Sequence, residues 1–197
     1  MKPLTKEQVK TNNRRCSMKL LFALFGPSGS GKSTYRDKLK EKGYEVILSH
    51  TDRAIREGEQ DGVDYYFKQS MEGEVFEQST TGNHNYWTTQ EQIDFEGTRI
   101  IILDPPGLEQ YKQKFDGKVV GVYLECDVYT RTIRLQKTST IREVFGRIKR
   151  DKDKFNYFKT DYIVNAGRSI EEVLEDIEKI IHVEQVKRLD KNIKEVE

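Results

Sequence analysis

The sequence predicts an α/β fold: a parallel central sheet covered on both faces, in three α/β/α layers, with two polar insertions outside the sheet. Three observations carry this. Short apolar runs that read as buried strands, Leu20–Phe25, Arg99–Leu103 and Lys118–Leu124, alternate with segments of helical period. The first run breaks at a Gly-rich loop that leads directly into a helix. Two stretches, about 49–96 and 131–150, are too polar and too irregular to belong to that alternation. A chain of 197 residues suits one domain carrying an inserted lobe.

The Gly-rich loop reads GPSGSGKS from Gly26 to Ser33, the G-x-x-x-x-G-K-S spacing in its strand–loop–helix setting. Glycines at Gly26, Gly29 and Gly31 let successive N–H groups turn towards a polyphosphate, and the helix that follows adds its positive end. Lys32 is then placed to reach the β- and γ-phosphates, and the Ser33 hydroxyl to sit on Mg²⁺. With Ser28, Ser30 and Thr34 these residues form the expected ATP site, and the fold class is that of a P-loop NTPase.

Composition narrows the rest. Lys and Arg number 34 against 33 for Asp and Glu, a net charge of +1, so nothing draws the chain as a whole to nucleic acid or membrane. Two cysteines, Cys16 and Cys126, make neither a disulfide framework nor a metal-ligand pattern. No apolar run approaches the ~18 residues of a membrane span, and the polar segment 1–17 lacks the apolar core of a signal peptide. A cytoplasmic protein with a basic N-terminal extension is expected, its oligomeric state left open between monomer and homodimer.

In chain order, a helix is expected from Ser33 to Lys42, with Gly43 where a helix C-terminus favours it. Tyr44–Leu48 is a short strand. In the polar stretch that follows, Arg53 and Arg56 form a guanidinium pair suited to a phosphate dianion, or else a solvated, salt-bridged loop. Gly73–Thr89 alternates weakly and suits a small antiparallel lobe with hairpin turns. Glu77 within it reads, by itself, as a surface carboxylate. A short helix is expected over Thr88–Phe95, closed by Gly97.

Arg99–Leu103 ends at Asp104, and a carboxylate at the C-terminal end of such a strand is the expected acid of a Mg²⁺ shell. A helix over Leu108–Lys114 then leads to the strand at Lys118–Leu124. Residues 130–158 carry Arg131, Arg134, Arg142, Arg147 and Arg150, with a break at Thr138–Ile141. They read as two helices, either with a solvated face or as a lid that folds arginines over a transferring phosphoryl group. The last strand is Tyr162–Val164, ending at Asn165. Ser169 and Glu172 form a capping-box pattern, and Val173, Leu174, Ile177 and Ile181 mark the core face of a helix that frays beyond about Leu189.

Together, GPSGSGKST, SHTDRAIREGEQDGVDYYF, a strand ending in LD, and DYIVN resemble guanylate kinase, over about Lys19 to Ile181. The second stretch is the specific one, because phosphate loops are shared widely. The resemblance implies a core (18–48 and 97–187), an acceptor-binding lobe (about 49–96), a helical lid (about 131–150), a charged tail at 188–197, and phosphoryl transfer from MgATP to GMP or dGMP. It implies that Ser49 and Thr88 meet the guanine and Glu77 reads it. Arg53, Arg56, Tyr65 and Tyr86 would grip the acceptor phosphate. Asp104 would serve the acceptor and the metal, with Ser33 as the other metal oxygen. Arg134 and Arg147 would join Lys32 as catalytic cations, and Asn165 would lie near the donor adenine.

Three departures stand out. Pro106 replaces a second acid, Trp87 replaces a glycine, and the lid is short, leaving Lys137 or Arg142 to stand in for a third arginine. They motivate one alternative, a kinase of this fold for a modified guanylate or ribose 1,5-bisphosphate. A non-catalytic binding module is the other, opposed by the intact Lys32 and Ser33.

Overall fold

The computed structural model describes residues 19–194, with side chains to 190. The extension at 1–17 and Cys16 lie outside the described residues. Five parallel strands form the main sheet: β1 (Leu20–Phe25), β2 (Glu45–Ile47), β7 (Thr98–Ile102), β8 (Lys118–Glu125) and β9 (Tyr162–Asn165), in the order β2-β7-β1-β8-β9. The α-helices are α1 (Lys32–Glu41), α2 (Pro105–Lys114), α3 (Val128–Gln136), α4 (Ile141–Lys154) and α5 (Ile170–Lys194).

Every residue of β1 is buried, because its alternate side chains feed two separate cores. Leu20, Phe22 and Leu24 pack with Leu39 of α1 and Val173, Leu174, Ile177 and Ile181 of α5. Leu21, Ala23 and Phe25 pack with Leu108 and Tyr111 of α2 and with Phe115. Three layers result. The Ser169–Glu172 capping box forms as expected, the Glu172 N–H donating to Ser169 Oγ at 3.3 Å and the Ser169 N–H to Glu172 Oε2 at 3.2 Å. The helix it opens continues to Lys194, past the expected fraying point at Leu189. No helix among the described residues is long and apolar enough to cross a membrane.

A second sheet rises from the first, in the order β4-β3-β6-β5: β3 (His50–Thr51), β4 (Tyr66–Phe67), β5 (Val75–Thr81) and β6 (His84–Thr89). The β5–β6 hairpin is antiparallel as the turn residues Gly82 and Asn83 suggest, but β3 and β4 pair in parallel, so the sheet is mixed. The helix expected over Thr88–Phe95 reduces to one 3₁₀ turn at Glu91–Ile93, because Thr88 and Thr89 stay in the hairpin, paired with Glu77 and Val75. Helix α2 begins at Pro105 rather than Leu108, with Asp104 as its cap and proline in its first turn.

Trp87 is fully buried in β6 and stacks on His50, ring centroids 5.5 Å apart and planes 16° from parallel. It is structural. Trp87→Ala should therefore destabilise the fold by about 3–5 kcal/mol, read from the urea midpoint.

Candidate active site

The site begins where β1 ends. In the parallel register Leu24 faces Ile102, so the loop after β1 and the segment after β7 leave the same edge of the sheet side by side. β8 flanks β1 on its other side, so this is the switch point at which open α/β sheets bind ligands. The loop keeps its shape through glycine. Gly29 has φ +79°, and a Cβ there would lie 2.9 Å from the Arg131 carbonyl oxygen. Lys32 Nζ curls back to donate to the carbonyl oxygens of Gly26 (2.7 Å) and Pro27 (3.0 Å). Burial lowers its pKa to about 8; Asp151 opposes that fall, while Lys154 and Arg131 add to it.

One cleft of about 280 Å³ is lined by Gly26, Ser28, Gly29, Lys32 and Ser33 from this loop and by Asp104 from the end of β7. Asp104 Oδ1 accepts from the Gly107 N–H at 2.8 Å, capping α2. Oδ2 pairs with Lys154 Nζ at 2.5 Å. Ser30, fully buried, and Gly31 and Thr34 do not line the cleft.

The second sheet supplies the other wall. Glu77 is only 2% exposed, so its plain reading as a surface carboxylate does not hold. Gly107 makes room for it: a Cβ there would lie 2.7 Å from Glu77 Oε1. Oε2 accepts from Thr88 Oγ1 at 3.4 Å, and that hydroxyl accepts from Tyr111 OH at 2.8 Å. Thr88 thus stands behind Glu77 and off the cleft. Burial, then the neighbouring Asp104 charge, push the Glu77 carboxyl up to about 7.

Ser49, Arg56, Tyr65 and Tyr86 line the cleft beside it. Burial pushes the Tyr65 phenol up to about 12, so it remains a donor. Arg53 takes the salt bridge that was the alternative to a phosphate grip. Its guanidinium is bidentate to Glu59 (both contacts 2.9 Å), donates to Tyr86 OH at 3.2 Å, and lies behind the cleft surface. It orders Glu59 and Tyr86 instead of facing a phosphate directly.

From α4, Arg147 reaches the cleft, its pKa lowered by burial and then by Arg56. Guanidiniums brought close enough to repel one another make an anion seat. Arg134 is not part of it. Its Nη1 donates to the Ala166 carbonyl oxygen at 3.0 Å, 3.5 Å from that of Gly29, bracing the phosphate loop from outside. Asn165 is also off the cleft, its Oδ1 accepting from the Gly167 N–H at 2.9 Å. Lys137 and Arg142 are exposed and off the cleft. Arg150, Asp151 and Lys154 occupy it instead. Their spacing from Arg147 puts all four on one helical face, a signal available in the sequence.

A phosphate loop, an acid at the next strand end and a buried carboxylate in one cleft agree with what comparison with known proteins finds. A sequence model described as guanylate kinase matches residues 18–184. The chain belongs to the guanylate kinase family. The guanylate kinase of Caldanaerobacter subterraneus subsp. tengcongensis is 31% identical over 189 residues, 88% of this chain and 91% of that relative. That of Rhodopseudomonas palustris strain BisB18 is 30% identical over 188 residues, 86% and 84%. The crystal structure of guanylate kinase from Anaplasma phagocytophilum superposes with a TM-score of 0.62 at 22% identity, over 86% of this chain and 87% of that one, a likeness of fold. Trp87 and Pro106, the departures that the resemblance raised, do not line the cleft: one is buried on His50, the other exposed in the first turn of α2.

Proposed function

We propose that the chain transfers the γ-phosphoryl group of ATP to GMP or dGMP, giving ADP and the nucleoside diphosphate. The observation that carries this is the buried Glu77 carboxylate in the cleft of the phosphate loop. A carboxylate accepts from guanine's N1–H and exocyclic amine together, a pair adenine does not offer, and a wrong base leaves the buried acid unpaired. The second sheet acts as the acceptor-binding lobe and α3–α4 as the lid.

Arg56, Tyr65 and Tyr86 hold the acceptor phosphate, with Arg53 fixing Tyr86 from behind. An acceptor phosphate oxygen attacks the γ-phosphorus, and the β–γ bridging oxygen leaves with the electron pair. Lys32 and Arg147 neutralise the charge that spreads over the transferring oxygens. The Ser33 hydroxyl and Asp104 carboxylate are oxygen donors of the kind Mg²⁺ takes, substrate phosphates and water completing its shell. Held there, Mg²⁺ would supply further charge neutralisation on the donor phosphates.

ADP release from MgATP against GMP, dGMP, AMP, CMP, UMP, dTMP and ribose 1,5-bisphosphate tests the assignment. Turnover confined to the guanylates is expected; turnover with another acceptor alone would keep a kinase and discard the role of Glu77. The pH profile gives a second check. kcat/KM for GMP should rise through a pH of about 7 as Glu77 ionises. It should fall above about 8 as Lys32 loses its proton. In Glu77→Gln the first limb should move to that of the acceptor phosphate itself, near ~6.

A further inference from the structure

Helix α4 presents Arg147, Arg150, Asp151 and Lys154 to the cleft, and two of these stand on groups the donor needs. Asp151 Oδ2 accepts from the Ser28 N–H at 2.8 Å, and Oδ1 from Ser28 Oγ at 3.2 Å. The same carboxylate pairs with Arg131 Nη1 at 3.1 Å, the two side chains only 12% and 7% exposed. Arg131 also donates to the Ser28 carbonyl oxygen at 3.1 Å, so the pair is fastened to the phosphate loop. An anion thus rests on an amide of the loop built to bind anions, close enough to favour the charged form of Lys32.

One turn further along α4, Lys154 Nζ lies 2.5 Å from Asp104 Oδ2 and 2.5 Å from Thr81 Oγ1. Asp104 is the carboxylate assigned above to the metal. An ammonium group there occupies one of that oxygen's lone pairs and repels a divalent cation, so it competes with the metal for Asp104. The two charges lie three residues apart on one helical face, a carboxylate on the phosphate loop and an ammonium on the metal acid.

We propose that Asp151 and Lys154 are determinants of donor affinity: the carboxylate competes with the phosphates of ATP for Ser28, and the ammonium competes with Mg²⁺ for Asp104. MgATP therefore binds only where Asp151 and Lys154 give up these contacts, and its apparent affinity is reduced by the fraction of molecules that keep them. This rests on the donor site proposed above, and not on which acceptor is used.

The test is calorimetric titration of the full chain with ADP, with and without Mg²⁺, and separately with GMP. Asp151→Asn keeps an acceptor for Ser28 but removes the charge. It should tighten ADP binding roughly five- to tenfold, with or without Mg²⁺. Lys154→Met should tighten ADP binding by a similar factor only when Mg²⁺ is present. GMP affinity should stay within twofold of wild type in both, on the order of experimental scatter.

Unchanged or weaker ADP binding in both variants overturns the proposal. So does a gain that extends equally to GMP, which would show a general charge effect. If Asp151→Asn leaves Arg131 unpaired and fails to fold, the double variant Asp151→Asn, Arg131→Gln removes the buried charge and asks the same question. Lys154→Met asks it independently. Wild type that binds ADP but phosphorylates no guanylate would sink the function and leave this proposal standing; unchanged ADP binding in the variants of an active enzyme would sink this proposal alone.

Discussion

Lys32→Met should lower the rate of phosphoryl transfer by about 10³-fold, the loss of a charged donor aimed at the transferring group. Fold should survive. The side chain is partly buried, and that burial lowers its pKa to about 8, so the ammonium is itself held at a cost. Methionine fills a similar volume without charge, and what is lost is two hydrogen bonds to the Gly26 and Pro27 carbonyl oxygens. The melting temperature should therefore move little. Single-turnover measurement with saturating MgATP and GMP separates this from weaker binding, and a rate within tenfold of wild type would remove Lys32 from the mechanism. A binding module would show no such dependence.

Glu77→Gln should cost about 10³-fold in kcat/KM for GMP, with KM for ATP unchanged. The substitution is nearly isosteric, but it turns an acceptor towards guanine's donors into a group that presents an N–H₂. The neighbours of Glu77 sharpen the expectation: Thr88 already donates to one oxygen, and the other lies against Gly107, close enough that a Cβ there would be 2.7 Å from it. Stability should change in a defined direction. The carboxyl titrates near about 7 in the folded chain against 4.5 ordinarily, so the native state holds its proton more tightly. Wild-type stability then falls as pH rises through that window, and the glutamine variant escapes the fall. At pH 8 the variant should melt at a higher temperature relative to wild type than it does at pH 4. An acceptor preference unchanged by the substitution would remove Glu77 from base recognition.

The sequence by itself determined the parallel sheet, its phosphate loop, Asp104 at a strand end, and the core face of α5. Those features are local: a run of apolar residues, a spacing of glycines, a period along one helix. Boundaries were legible where a cap or a glycine marks them and less so where chemistry is shared. Asp104-Pro105-Pro106 is a helix start as well as a turn, and Thr88 and Thr89 suit a strand as well as a helix cap.

What only the tertiary structure decided is which polar groups face one another, because that depends on residues far apart in the chain. Glu77 reads as a surface acid until β5 is laid against Gly107 of α2 and desolvated. Arg53 reads as half of a phosphate-gripping pair or as part of a salt-bridged loop until Glu59 takes both of its terminal nitrogens, and Trp87 reads only as a departure from the expected glycine until it stacks on His50. Arg134 and Arg147 are alike in sequence, yet one braces the outside of the phosphate loop and the other lines the cleft. The charge of a side chain is written in the sequence; its partner, and with it its role, is set by the packing that removes water from around the pair.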